Sequence, residues 1–119
     1  MSNVAGLSEK FALFSEHWHP KIVGELNQSD VKLSKLKVEF VWHRHEREDE
    51  LLRVVKGSLV IKLRDRDLML REGQFVNVPR GVEHLPVAAD EVHVVLLEPK
   101  TIVNTGDAET DRIVPPEWI

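Results

Sequence analysis

Residues 43–84 read HRHEREDELLRVVKGSLVIKLRDRDLMLREGQFVNVPRGVEH, from His43-Arg44-His45 at one end to Pro79-Arg80-Gly81-Val82-Glu83-His84 at the other. The interior is a series of short segments rich in Val, Leu, Ile and Phe: Glu50 to Val55, Ser58 to Leu63, Asp67 to Leu70 and Gln74 to Val78. They are broken at Lys56-Gly57, Arg64-Asp65-Arg66 and Arg71-Glu72-Gly73, the composition of turns. Such spacing predicts an all-β sandwich or barrel. The ends of the stretch, with Glu50, supply three imidazoles and a carboxylate. Successive side chains of a strand point to opposite faces, so His43 and His45 share a face and can grip one ion. Imidazole and carboxylate together suit Mn, Fe, Co, Ni, Cu or Zn without choosing among them.

Outward from this stretch the β pattern continues. Lys21 to Leu26 and Val31 to Trp42 precede it, joined by the turn Asn27-Gln28-Ser29-Asp30; His84 to Pro86 and Glu91 to Glu98 follow it. Ser8 to Ser15 has the cap and apolar side of a short N-terminal helix. From Lys100 the alternation stops: Thr105 to Arg112 reads as a polar loop, and Ile113 to Ile119 as an apolar tail that wants a surface to cover. A run of short antiparallel strands with metal-type ligands on one face predicts a closed barrel or jelly roll with room for one small ligand.

A chain of 119 residues fits one domain, 1–119, with a barrel core over about 31–98 and an extended tail over 100–119. Acidic residues outnumber basic ones, 20 to 16, and the two are interspersed, as in Arg64-Asp65-Arg66-Asp67, which argues against nucleic acid as a partner. No apolar run approaches the roughly 20 residues of a spanning helix, and Met1-Ser2-Asn3-Val4 lacks the basic-then-apolar start of a secretory signal. The expectation is a cytoplasmic protein that engages no membrane. Cysteine is absent, which removes disulfides and thiolate ligands; tyrosine is absent, which removes a phenolic acid.

At these residues the chain resembles the cupin superfamily, whose two motifs flank a metal site inside a double-stranded β-helix. The first motif is matched by His43-x-His45, four residues, Glu50, six residues and Gly57; the second by Gly73, five residues, Pro79-x-Gly81, two residues and His84. Lys37 stands where the family usually has Gly, and Ala88 where it often has Asn. The resemblance implies that His43, His45, Glu50 and His84 bind a divalent transition metal (Mn, Fe, Ni or Zn), that Gly57, Gly73 and Gly81 shape turns, and that the protein is a homodimer. The ligand set is similar to that of germin-type and oxalate-processing dioxygenases, and the motifs to those of sugar-isomerase cupins.

Other titratable residues compete for roles. Asp49 is placed to hold a ligand imidazole in one tautomer, whereas Glu48 reads as a solvated turn acid. His17 and His19 repeat the two-residue spacing around Trp18, and with no acid or third His read as accompanying them they point to a surface or interface role. Strict alternation would put Lys35, Lys37 and Glu39 on the face of His43, so either they line a polar pocket or a bulge turns them to solvent. Glu39 and His93 are the candidate proton-transfer residues. The function expected is a metal-dependent enzyme, isomerase- or dioxygenase-like, on a small polar, oxygen-rich molecule such as a sugar, hydroxy acid or dicarboxylate. The alternative is a non-catalytic module that binds a small ligand or serves as a structural or sensor barrel.

Overall fold

The computed structural model describes residues 4–119; the three residues before them, which begin the stretch read for a secretory pattern, lie outside the described residues. After a helix α1 (Leu7–Phe11) come β1 (Lys21–Leu26), β2 (Ser29–Glu39), β3 (Glu50–Lys56), β4 (Leu59–Leu63), β5 (Asp67–Leu70), β6 (Phe75–Val78), β7 (His84–Pro99) and β8 (Glu117–Trp118). The strands pair in the order β5-β4-β7-β2-β1-β8, while β3 pairs with both β6 and β7. This is the all-β, jelly-roll-like architecture expected, with a short N-terminal helix.

Strand β7 organises the barrel. Its first part, His84 to Val87, runs antiparallel to β4; its second, His93 to Leu97, runs antiparallel to β3; β2 follows it from Pro99 to Val87. The two segments expected at His84 to Pro86 and Glu91 to Glu98 are therefore one 16-residue strand. Between them lies an irregularity: Leu36 pairs with Val92 and Val38 with Ala88, leaving exposed Ala89, Asp90 and Glu91 opposite Lys37. A bulge of this kind bends a strand, and here it lets one strand serve both halves of the barrel. Val38, β-branched, takes φ 59° at this point, a strained conformation that the long ladders on either side hold in place.

The two faces of β2 bury different partners. Leu33 faces outward into a cluster with Phe11 and Phe14, against which Val55, Val95 and Ile119 pack. Leu36 faces inward with Leu52, Val54, Val92, Val94 and Leu96. Full burial of each such side chain contributes about 1.5–3 kcal/mol. The helix runs Leu7–Phe11 and not Ser8 to Ser15, with Gly6 instead of Ser8 at its N-cap; Phe11 is its buried residue, and Phe14 joins the same cluster from beyond the helix end. The tail adds a strand: β8 runs parallel to β1, and Ile119 N donates to Ile22 O at 3.1 Å. Among the described residues no helix is long and apolar enough to cross a membrane.

Candidate metal centre

Two backbone bonds bring the distant motifs together. His43 N donates to His84 O (3.1 Å) and His84 N donates to His43 O (2.9 Å), an isolated bridge between the segment after β2 and the start of β7. Gly81, at φ 81°, supplies a third tie, its N–H donating to His45 O at 2.8 Å. That left-handed conformation suits glycine and turns the Pro79-Arg80-Gly81 segment back toward the first motif.

The three imidazoles converge. One ring nitrogen from each of His43, His45 and His84 lies within 4.8 Å of the others, and all three residues are buried. Glu50, the first residue of β3, brings its Oε2 to 3.5 Å from His45 Nε2 and its Oε1 to 4.0 Å from His84 Nε2. The four residues singled out at these spacings thus share one site. The imidazoles are oriented by backbone: Nδ1 of His43 donates to Val41 O (2.8 Å) and Nδ1 of His84 to Val82 O (2.9 Å). Such bonds fix the tautomer that leaves Nε2 with its lone pair free. Asp49 does a different task from the one expected of it: its Oδ1 accepts the Arg80 N–H at 2.9 Å, tying the loop after His45 to the second motif.

The protonation states fit cation binding. Burial, reinforced by the neighbouring His84, lowers the pKa of His43 to about 4, and burial lowers that of His84 as well. Burial pushes Glu50 up, but the adjacent His45 imidazole and the bond to Glu98 outweigh it and the carboxyl settles at about 2. Neutral imidazoles with an ionised carboxylate are the donor forms a transition ion needs. The decisive orphan atoms are Nε2 of His45 and Nε2 of His84, buried without a hydrogen-bond partner. Buried polar atoms are otherwise almost always satisfied, and a cation would satisfy both. The residues present therefore fit a metal ion.

A cavity of about 50 Å³ opens beside the imidazoles, with His43, Glu50 and Glu98 at its polar end and Trp18, Phe40 and Leu36 among its apolar walls. Nothing in the sequence marks Glu98, which there only closes a strand. It is buried, accepts from the equally buried Lys32 Nζ at 3.0 Å, and lies beside Glu50. Burial first, then the charge of Glu50, raises its pKa well above the usual carboxylate range, so Glu98 holds the proton of the pair. Lys35, Lys37 and Glu39 do not line the cavity. The bulge turns Lys37 and Glu39 to solvent, and Lys35 Nζ donates to Phe14 O. His93 also lies outside it, stacked on Phe11 (4.5 Å) and sharing the Glu91 carboxylate with His17 (2.9 and 2.7 Å). His19, expected to have no acid with it, sits with Glu16, three residues before it in the chain, and with Glu117, which β8 brings back beside β1. Lys21 Nζ, at 3.2 and 3.3 Å, already occupies both carboxylates.

The cupin domain family model matches residues 31–100, more than half of the chain. The chain belongs to the cupin family. Its structure is similar to that of a cupin-2 domain protein from Shewanella frigidimarina, at 41% identity and TM-score 0.80, over 81% of this chain and 94% of that one. A Neisseria meningitidis protein superposes with TM-score 0.75 at 28% identity, over 82% of this chain and 99% of that one. Protein YdbB of Bacillus subtilis is 32% identical over 79 residues, which cover 66% of this chain and 64% of that protein. This cupin therefore carries a candidate histidine triad for metal, with Glu50 beside it, at one end of a small cavity.

Proposed function

We propose that this cupin binds one divalent transition ion, Mn, Fe, Ni or Zn, through His43, His45, His84 and Glu50, and acts on a small oxygen-bearing molecule in the adjoining cavity as an isomerase- or dioxygenase-like enzyme. The observation that carries the reading is the pair of buried, unpartnered Nε2 atoms on His45 and His84. A bound ion supplies Lewis acidity toward a carbonyl or hydroxyl oxygen. The chain's own residues do the rest: Val41 O and Val82 O hold the imidazoles, Trp18 and Phe40 exclude water, and Glu98, with its proton, lines the cavity beside Glu50. The same reading treats 1–119 as one cytoplasmic domain working as a homodimer, without nucleic acid.

One observation favours a non-catalytic alternative. Neither Glu39 nor His93 lines the cavity, so neither serves there as a general base without a rearrangement. Glu98, beside Glu50 and already bonded to Lys32, is the remaining acid. Elemental analysis of protein purified without added metal, paired with His45→Ala, tests the proposal. Stoichiometric metal in the wild type, lost in a variant of unchanged circular dichroism, is the expected result. Wild-type protein without metal, or His45→Ala protein with its full complement, would defeat it.

A further inference from the structure

Most polar side chains of the cavity wall are already engaged. Asn104 spends both ends of its amide on the C-terminal segment, donating to Arg112 O and accepting from Val114 N, each at 3.1 Å. Glu98 accepts from Lys32, Glu50 lies against His45, and His43 Nδ1 donates to Val41 O. Ser34 is the exception. It lies on β2 opposite Val94, is fully buried, lines the cavity, and its Oγ has no hydrogen-bond partner. A buried hydroxyl without a partner is costly, and a ligand group reaching it would remove that cost.

The remainder of the wall is apolar. Leu36, Leu52, Val94 and Leu96 face the space, and the stacked rings of Trp18 and Phe40, 4.8 Å apart, border it. No lysine or arginine is among the lining residues; Lys32, the buried cation nearby, is paired with Glu98. Arg112 lies against the rings of Trp18 and Phe40 and donates to Glu39 O, and it is not a lining residue either. A second anionic group inside the cavity would be buried among hydrocarbon and two carboxyls, with no cation on the wall to meet it.

We propose that the cavity takes a small molecule with an oxygen-bearing head at the histidine end, an uncharged apolar body, and one hydrogen-bonding group that pairs with Ser34 Oγ. Dicarboxylates and phosphorylated sugars are thereby refused, and hydroxy acids with a short apolar or hydroxyl-ended chain are admitted. The head rests on the ion proposed above. The body and the Ser34 contact rest on the wall alone.

Three probes of similar size separate these elements: 2-hydroxypentanoate, 2,4-dihydroxybutanoate and malate, which end in methyl, hydroxyl and carboxylate. Each is titrated calorimetrically into the full chain, as purified and after loading with Zn, for the wild type and Ser34→Ala. The hydroxyl-ended probe should bind tightest and malate at least tenfold more weakly than either of the others. Ser34→Ala should weaken the hydroxyl-ended probe roughly three- to tenfold, the worth of one net hydrogen bond, and leave 2-hydroxypentanoate within about twofold. Malate binding tightest, a ranking unmoved by Ser34→Ala, or no binding of any probe would overturn the inference. Metal content, measured on the same samples, reports separately on the ion: a Ser34-dependent ranking in metal-free protein keeps this inference and removes the one before it.

Discussion

Gly106 lies so close to Arg44 that a Cβ built on it would overlap the Arg44 carbonyl oxygen and come within 3.1 Å of His43 Cδ2. The contact is part of a clamp: Asp107 N donates to Arg44 O at 3.0 Å and Asp107 Oδ1 accepts the Arg44 N–H at 2.9 Å. The turn after Ile102 therefore presses on the middle of His43-Arg44-His45 from outside the barrel. Only a residue without Cβ fits there, and its φ of 56° is one that glycine adopts freely.

Gly106→Ala should accordingly cost about 1–3 kcal/mol, from overlap with backbone that cannot retreat and from the left-handed conformation. Because the displaced atoms belong to the His43–His45 segment, metal affinity should fall along with stability. Urea denaturation of the metal-free protein and chelator competition of the loaded protein measure the two effects. Wild-type values in both would show that the segment yields without consequence.

The histidine centre should make metal-free stability depend on acid. His43, lowered to about 4 from 6.5 by burial, refuses a proton between those values that the unfolded chain accepts, and His84 is shifted the same way. The stability His43 contributes is thus full above about pH 6.5 and lost as pH falls toward 4, an effect on the order of 3 kcal/mol. Glu98 works in the opposite sense, since its raised pKa gives stability at low pH that is lost on going above 4.5. Comparing wild type with His43→Gln removes that contribution: the gap in unfolding free energy should widen from pH 4 to 6.5 and then level off. A gap independent of pH would refute the assignment.

Lys32 and Glu98 form a buried pair whose two halves differ in what replaces them. Glu98→Ala leaves the Lys32 ammonium without an acceptor and should cost about 3–5 kcal/mol. Glu98→Gln keeps an acceptor and resembles the protonated acid, so it should cost less than half as much. Equal destabilisation of the two variants in urea would show that Glu98 is held as a carboxylate.

The tail closes the outer face. Arg112 lies over the Phe40 ring at 4.7 Å and donates to Glu39 O at 3.0 Å, while Ile119 covers the Phe11–Phe14–Leu33 cluster. Ending the chain after Thr110 should expose that cluster and the edge of β1, lowering stability by about 2–4 kcal/mol and promoting association. Calorimetric melting and sedimentation velocity follow the two consequences; unchanged profiles in both would show that the segment adds nothing.

Much of this arrangement is legible in the sequence. His43, His45, Glu50 and His84 stand at the spacings of the two cupin motifs, with turns that announce themselves through Gly57, Gly73 and Gly81, all three at positive φ. The strand expected to run to Trp42 ends at Glu39, so His43 and His45 lie in the segment after β2, held by the bridge to His84 and not by strand alternation. The strands between them alternate clearly enough to read. Glu98 and Ser34 were not legible, because each sits in a segment where either phase of alternation is chemically plausible. The bulge at Lys37 leaves Lys37 and Glu39 in water while Leu36 and Phe40 stay inside. A two-residue strand such as β8 carries no periodicity at all.

The sequence by itself determined the barrel class and singled out His43, His45, Glu50 and His84 as candidate donors, because strand period, turn chemistry and motif spacing are local properties of the chain. Only the tertiary structure decided what surrounds the donors: the Lys32–Glu98 pair beside Glu50, the unpartnered Ser34 hydroxyl, and the pressure of Gly106 on Arg44. Those depend on the register of β2, β7 and β3 and on where the C-terminal segment comes to rest. Register and docking are set by the packing of the whole molecule, and no window of neighbouring residues contains them.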